Sequence, residues 1–302
     1  MENNNAVTKN EFGFYRLNNI PSQEELDEYY QKKYFQEDRA IYFHEYSPEE
    51  LLYFRNKNEQ KAIIIEKLFS SKNEKPRLLD VGCGEGFTLA YFHERGWDVR
   101  GVDYSEYGCK QHNPEMLPFF SAGDIYKQLD SLLQTQTKYD CIWLDNVLEH
   151  VIDPGGLLQK LTVLAHSGTI LMIEVPNDFS VIQNKLLADG KIDRPFWVVS
   201  PDHLSYFNLE GLTNLAESCG WENKHTIADF PIDFNLANPF ANYVMNRDVG
   251  KGAHQQRIFV ENIMHSVSPD LTNLYYAAMA QLGLGRQLIS FLTLKNSDDE
   301  RN

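Results

Sequence analysis

Short apolar runs alternate with longer amphipathic stretches along the chain from residue 77 onward. Short apolar runs predict buried strands, and apolar residues spaced three and four positions apart predict the helices that cover those strands. Strands that alternate with helices are typical of βαβ units, so this pattern predicts an α/β fold around a mainly parallel sheet. The predicted strands are 77–81, 98–102, 118–121, 139–144, 169–175 and 224–230.

The last apolar run, 287–294, permits two interpretations. As a strand, it would be the seventh in the sheet, and the irregular stretch before it would be a long helical insertion. As a final helix, it would lie outside the sheet. A short apolar run fits either element by periodicity alone, so both interpretations stay open at this point.

Serines placed three residues before a glutamate mark two helix starts ahead of the sheet. Ser22 precedes Glu25, and Ser47 precedes Glu50, with a proline at the first helical position in the second case. This spacing is typical of a capping box, so two or three helices are predicted between residues 22 and 69. The predicted organisation is a helical cap segment at 1–70, a cofactor-binding core at 71–230, a helical insertion at 231–285, and a last strand and tail at 286–302.

Three glycines at alternate positions directly follow the first predicted strand. Gly82, Gly84 and Gly86 tolerate positive φ, so the backbone can turn sharply under a flat ligand while the next helix points its N-terminus there. The dinucleotide-binding fingerprint needs a glycine or alanine where this chain has Phe87. Asp103 follows Gly82 by 21 positions, the spacing at which an acidic side chain accepts hydrogen bonds from a ribose diol. The turn therefore predicts a site for a nucleotide-like cofactor.

The order Asp80, Gly82, Gly84 and Gly86 resembles the D-x-G-x-G-x-G turn of class I S-adenosylmethionine-dependent methyltransferases. Three later segments are similar to the same family: G-D-I at 123–125, D-N-V-L-E-H-V at 145–151 and P-D-H-L-S-Y-F at 201–207. The resemblance implies a Rossmann-like seven-stranded sheet whose last strand is antiparallel and lies between the fifth and sixth. It also implies that the insertion rises over the carboxyl edge of the sheet as a substrate lid.

The resemblance further implies S-adenosylmethionine as the cofactor, with S-adenosylhomocysteine as the product. Asp124 is expected to receive the adenine amino group, Ile125 to lie against the ring, and Asp145 and Asn146 to line the methionine end. The residues predicted to bind the cofactor are Asp80, Gly82, Cys83, Gly84, Gly86, Asp103, Tyr104, Asp124, Ile125, Asp145 and Asn146.

Two histidines in the matching segments are the catalytic candidates. His203 is predicted to be the general base, because deprotonation of a hydroxyl needs an acceptor whose pKa lies near ambient pH. His150, with its neighbour Glu149, has the chemistry of an acid/base group or of a hard metal ligand. No metal site is predicted, since no third or fourth ligand is evident nearby in the sequence. The alternative for Glu149 and His150 is a hydrogen-bond network at the start of a helix, and the alternative for His203 is a set of hydrogen bonds that hold its loop.

The segment 14–35 resembles the start of bacterial methyltransferases found with polysaccharide biosynthesis. A cysteine-rich N-terminal zinc module, as in sugar C-methyltransferases, is missing, so oxygen is the expected acceptor atom. The predicted substrate is a sugar or another small polar molecule, or an anionic one. The insertion offers polar side chains for it: Asn235, Asn238, Asn242, Tyr243, Asn246, Arg247, Lys251, His254 and Arg257. Two alternatives remain, a non-catalytic cofactor-binding module and a nicotinamide-dependent oxidoreductase, and Phe87 disfavours the second.

Composition and charge exclude other classes of function. The 302-residue chain has a formal net charge of −15, which disfavours nucleic acid as a partner because phosphate backbones attract clustered Lys and Arg. The four cysteines form no C-x-x-C pair, so reduced thiols in a cytoplasmic protein are expected. No apolar run reaches the roughly 20 residues that span a bilayer, and the first residues lack the features of a signal peptide. The sequence indicates no oligomeric state.

Overall fold

The computed structural model describes residues 6–26, 28–29, 45–69 and 73–295, and its centre is a seven-stranded sheet covered by helices. The described strands are β1 Val7–Lys9, β2 Tyr15–Leu17, β3 Arg77–Val81, β4 Asp98–Asp103, β5 Phe120–Ala122, β6 Tyr139–Asp145, β7 Ala165–Pro176, β8 Ser205–Tyr206, β9 Trp221–Ala228 and β10 Gln287–Leu294. The described α-helices are α1 Pro48–Leu68, α2 Phe87–Glu94, α3 Tyr107–His112, α4 Ile125–Gln134, α5 Pro154–Leu164, α6 Val181–Ala188, α7 Leu209–Ser218, α8 Gly250–Val267 and α9 Pro269–Gln281.

The large sheet has the strand order β5-β4-β3-β6-β7-β10-β9. The pairs from β5 to β7 are parallel, whereas β10 is antiparallel to both β7 and β9. This arrangement confirms the predicted fold, including the late strand inserted between the fifth and sixth. The helical interpretation of 287–294 is wrong: five consecutive residues of β10 are buried, because this strand is covered on both faces.

Two clusters of buried side chains fill the two faces of the sheet. One is formed with α4, α5 and α7, and the other with α1, α2 and α9. Strand bounds differ most from prediction at β7, which begins at Ala165, four residues early. Strand β5 begins two residues late because Pro118 lies in a 3-10 helix at Pro114–Phe119. Strand β9 begins earlier than predicted, at Trp221, whose side chain is fully buried.

The insertion divides into two parts that lie in different places. Helix α9 packs against β9 and α1 and so covers part of the sheet, whereas α8 packs along α1 and α9. The preceding 3-10 helix, Ile232–Ala237, packs against α6. The insertion is therefore mostly a layer of the core fold.

The N-terminal part has both predicted capping boxes and an unpredicted small sheet. Ser22 and Glu25 exchange the expected hydrogen bonds, as do Ser47 and Glu50 at the start of α1. Residues 23–26 are helical, and the rest of the predicted helical region up to 44 lies largely outside the described residues. Strands β1, β2 and β8 form an antiparallel sheet that joins the N-terminal segment to residues 205–206.

The four cysteines are free and buried. Within the part of the chain that the structure describes, no helix combines the length and the apolar character needed to cross a membrane.

Candidate functional site

The glycine turn lies between β3 and α2, and each of its glycines has positive φ. The φ angles are +82° at Gly82, +49° at Gly84 and +79° at Gly86. A Cβ at Gly82 would lie 2.3 Å from Cγ2 of Val147, so the protein's own packing requires glycine there. A Cβ at Gly84 would meet no atom within 4 Å among the described residues. The middle of the turn therefore faces open space, as a ligand site needs.

Asp103 ends β4 and bends its carboxylate back toward this turn. Its Oδ2 accepts a hydrogen bond from the Gly84 N–H at 2.8 Å, and its Oδ1 accepts one from the Ser105 N–H at 3.2 Å. Burial raises the pKa of Asp103, although the backbone N–H groups oppose that shift. A carboxylate offers about four acceptor positions, so capacity for ligand hydroxyls remains.

A cavity of about 440 Å³ opens beside the turn at the carboxyl edge of the sheet. This volume lies in the range of small-molecule sites, and the place is where open α/β sheets bind their ligands. Nine of the predicted site residues line it: Gly82, Gly84, Asp103, Tyr104, Asp124, Ile125, Asn146, His150 and His203. Motifs spread over more than 120 positions of the chain thus meet at one cavity.

The remaining predicted cofactor residues, Asp80, Cys83, Gly86 and Asp145, are not among those that line this cavity. Asp80 is buried beneath the turn, where burial raises its carboxyl pKa well above the ordinary value. The Cys83 side chain packs against Gly101, and Gly86 is the N-cap of α2. The Asp145 carboxylate points to a lysine. These positions shape the turn and its supports.

That lysine, Lys61 of α1, is buried and was not predicted. Its Nζ lies 2.6 Å from Oδ2 of Asp145 and 2.5 Å from Oε2 of Glu174, at the ends of β6 and β7. Burial lowers the pKa of the Lys61 ammonium, but the two carboxylates outweigh this effect and hold the pKa above its ordinary value. The lysine thus places one positive charge between two carboxylates at the ends of β6 and β7.

The two predicted catalytic histidines lie together at another part of the cavity wall. The His150 and His203 rings have centroids 4.8 Å apart and are nearly perpendicular, at 84°. The backbone carbonyl of Glu149 accepts hydrogen bonds from the N–H groups of Leu204 and Ser205, at 2.8 and 3.1 Å. Strand β8 then pairs with β2, so the histidine loop is held from both sides.

Glu149 lies with the two histidines in a group of three side chains of types that can bind a metal ion, and the sequence did not reveal that they meet. Glu149, His150 and His203 each offer a ligand atom within 4.8 Å of the others. The Glu149 side chain is buried, and burial raises its carboxyl pKa well above the ordinary value. His203 is 53 positions from His150 in the sequence, and only the fold brings the two side chains together.

Other lining residues were also missed by sequence reasoning. They come from the N-terminal helical residues, from the start of α4, from the turn after β6 and from the loop before β8, and those that lie in the segments 145–151 and 201–207 were not singled out within these motifs. These residues are Gln23, Leu26, Tyr126, Val147, Val151, Ile152 and Asp202.

None of the nine polar residues predicted in the insertion lines the cavity, and three of them have structural partners instead. Asn242 donates to the carbonyls of Lys191 and Leu236, and the Tyr243 hydroxyl donates to Asp233 at 2.6 Å. The Arg257 guanidinium pairs with buried Asp229 at 3.0 Å. Among the described residues that line the cavity, none comes from 231–285. The lining of this cavity therefore gives no evidence that the insertion is a substrate lid.

Comparison with known proteins gives one family and several relatives. A family model described as a methyltransferase domain matches residues 53–226, more than half of the chain. A ubiquinone biosynthesis O-methyltransferase of Nitrosomonas europaea is 30% identical over 113 residues, which are 37% of this chain and 48% of that protein. A ubiquinone biosynthesis O-methyltransferase of Leptothrix cholodnii is 28% identical over 104 residues, 33% of this chain and 44% of that one. The chain thus spans about half the length of the curated relatives it matches.

Two solved structures share the fold over nearly the whole chain. A SAM dependent methyltransferase from Archaeoglobus fulgidus is 19% identical, with a TM-score of 0.50, over 91% of this chain and 100% of that one. The 1,6-didemethyltoxoflavin-N1-methyltransferase of Burkholderia thailandensis, solved with S-adenosylhomocysteine, is 13% identical with a TM-score of 0.52, over 96% and 99% of the two chains. At these identities the likeness concerns the fold.

Proposed function

This chain belongs to the methyltransferase domain family, and we propose that it transfers the methyl group of S-adenosylmethionine to a hydroxyl oxygen of a small molecule. The enzyme class is that of the class I S-adenosylmethionine-dependent methyltransferases. The observation that carries the proposal is the open space above Gly84 beside the Asp103 carboxylate, both on the wall of one cavity.

The residues at this wall fit the cofactor group by group. Gly84 leaves room for the ligand to approach the backbone, and Asp103 supplies acceptor positions for the ribose hydroxyls. Asp124 and Ile125 line the part of the cavity expected to hold the adenine, and Asn146 lies where the methionine end is expected. When bound, S-adenosylmethionine supplies a methyl group on a positively charged sulfur, already activated for attack by an oxygen.

The protein's own contribution is alignment, exclusion of water and removal of a proton. Alignment of the acceptor oxygen with the methyl carbon lowers the barrier of the chemical step, because the orientational entropy has already been lost when the substrate binds. We assign the proton to His203, the general base, with His150 beside it at the same wall. The hydroxyl proton passes to the imidazole, and the products are the methyl ether and S-adenosylhomocysteine.

Two observations favour oxygen as the acceptor atom. First, the two curated relatives described above are named as O-methyltransferases. Second, the two histidines at the cavity include the base that deprotonation of a hydroxyl requires. A sugar, an anionic acceptor and a role in polysaccharide biosynthesis stay predictions. Methylation assays with sugars and with precursors of ubiquinone would identify the acceptor class.

The experiment that tests the mechanism compares His203→Ala with wild type. Turnover should fall by about 100-fold to 10,000-fold, the usual contribution of a general base, while S-adenosylhomocysteine affinity stays the same. The control is His166→Ala, because His166 lies outside the cavity and contacts Asp140. Unchanged turnover in His203→Ala would remove this residue from the mechanism.

A further inference from the structure

The side chains of Glu149, His150 and His203 meet at one wall of the cavity, and we propose that they bind a divalent transition-metal ion. Two imidazoles and one carboxylate form a ligand set that suits first-row divalent ions such as Zn²⁺ and Mn²⁺. Three protein ligands leave coordination positions open for oxygen atoms of a substrate or of water.

The three ligand atoms are already close to coordinating distance. They lie within 4.8 Å of one another, and Nε2 of His150 is 3.7 Å from Oε1 of Glu149. An ion with bonds of about 2.1 Å would hold such atoms about 3–4 Å apart, so small rotations of these side chains are sufficient.

The hydrogen bond at the far side of His150 prepares this residue as a ligand. Its Nδ1 lies 2.7 Å from the backbone carbonyl of Asp202, and since a carbonyl only accepts, Nδ1 carries the proton. The lone pair is then on Nε2, the nitrogen nearer to Glu149. Metal-ligating histidines usually donate their other N–H to a carbonyl or carboxylate in this way.

Glu149 gives an independent indication that a cation belongs here. Its side chain is 1% exposed, and neither carboxylate oxygen accepts a hydrogen bond from a side chain or backbone group that the structure describes. A buried polar group without a hydrogen bond is costly, and nearly all such groups in native proteins find partners. An ion bound between the carboxylate and the two imidazoles would satisfy it.

The inference rests on the proposed methyl transfer to a hydroxyl, and within that function it replaces the role of His203 as the general base. The acceptor hydroxyl would occupy an open coordination position, where the ion lowers the pKa of the bound oxygen. The O–H bond breaks, its electron pair stays on the oxygen, and the proton passes to a water molecule. His203 then acts as a metal ligand, and the ion takes over the activation of the hydroxyl.

Calorimetric titration of chelator-treated full-length protein with ZnCl₂, MnCl₂ and MgCl₂, each alone, tests this site. One equivalent of Zn²⁺ or Mn²⁺ should bind, with Mg²⁺ weaker because imidazole ligands disfavour it. Glu149→Gln, His150→Asn and His203→Asn should each weaken Zn²⁺ binding about 100-fold or more, since loss of an outer-shell partner alone costs 10- to 100-fold. His166→Asn is the matched control, because this histidine contacts an aspartate outside the cavity.

Equal Zn²⁺ affinity in wild type and all three ligand variants, as for adventitious binding at surface groups, would overturn the proposal. Absence of binding in the wild type would overturn it as well. Circular dichroism and S-adenosylhomocysteine titration verify that each variant is folded, and any one folded ligand variant decides the question. Methyl transfer that persists at the same rate in EDTA would refute the role of the ion in activating the hydroxyl and leave the proposed function, with His203 as the base, intact. Binding of the metal ion without binding of S-adenosylhomocysteine would support the metal site and contradict the proposed function.

Discussion

Gly82 and Gly84 lie two positions apart in one turn, but a side chain at each would meet different surroundings. At Gly82 the added Cβ overlaps a methyl group of Val147, whereas at Gly84 it enters the cavity. The sequence spacing identified both as turn glycines. Only the structure separates the glycine required by packing from the one that leaves space for a ligand.

This difference predicts that the two alanine substitutions affect stability and cofactor affinity to different degrees. Gly84→Ala should lower the unfolding free energy by about 1–2 kcal/mol, because alanine is strained in the left-handed conformation. It should also reduce S-adenosylhomocysteine affinity about 10-fold or more, because its methyl group enters the cavity. Gly82→Ala should cost about 2–5 kcal/mol, because steric overlap with Val147 is added to the backbone strain. Urea unfolding and calorimetric titration measure the two effects. Wild-type affinity in folded Gly84→Ala would contradict the position assigned to the cofactor.

At the scale of elements, helix α1 reaches the sheet through a buried lysine. An amphipathic helix predicts charged residues on its outer face, so the sequence pattern gives no sign that Lys61 is inside. Its two carboxylate partners belong to β6 and β7, more than 80 positions away. The sequence predicted the strands of the large sheet from local periodicity. It did not predict this contact or the small sheet, whose two- and three-residue strands are too short for a periodic pattern.

Removal of the Lys61 charge should therefore destabilise the protein strongly. Lys61→Met leaves Asp145 and Glu174 without their cation and should lower the unfolding free energy by about 3–5 kcal/mol. Lys67→Met, in the last turn of the same helix, removes an exposed pair with Asp270 and should cost at most about 1 kcal/mol. Equal losses in urea unfolding of the two variants would show that the buried pairs have no special weight.

The loop after β7 is joined to the start of β10 by Asp178 and Arg286, 3.0 Å apart. Burial raises the pKa of Asp178 to about 6, although the guanidinium opposes the shift. In the unfolded chain this pKa is about 3.9. Between about pH 4 and 6 the native state therefore binds more protons here than the unfolded state, so its stability falls as pH rises and levels off above pH 6.

Asp178→Asn removes this titration and isolates its effect. From pH 5 to pH 7, the unfolding free energy of wild type relative to the variant should decrease by about 1 kcal/mol. Urea unfolding of both proteins at the two pH values measures the change. An increase over the same interval would mean that the ionised carboxylate is the form favoured by folding.

At the scale of the whole molecule, the sheet brings segments from residue 82 to residue 203 to one cavity. The positions of the first six strands along the chain and the glycine turn were predictable, because both depend on residues near each other in sequence. The place of the last strand between the fifth and sixth was implied by the resemblance to class I methyltransferases. The meeting of Glu149, His150 and His203 was not predictable, because it depends on the loop at 199–206 folding back onto the turn after β6. The placement of α9 on β9 and of α8 on α1 also follows from tertiary packing, which a linear pattern does not encode.

Calorimetric titration of the wild-type protein with S-adenosylhomocysteine, with NADH as the comparison ligand, tests the central claim most directly. We predict that one equivalent of S-adenosylhomocysteine binds and NADH does not. Asp103→Asn should weaken binding by about 1.5–3 kcal/mol, the contribution of hydrogen bonds to a charged group. Asp98→Asn, an exposed position at the start of the same strand, should bind as wild type does. Absence of S-adenosylhomocysteine binding in the folded wild type, or unchanged affinity in Asp103→Asn, would contradict the account.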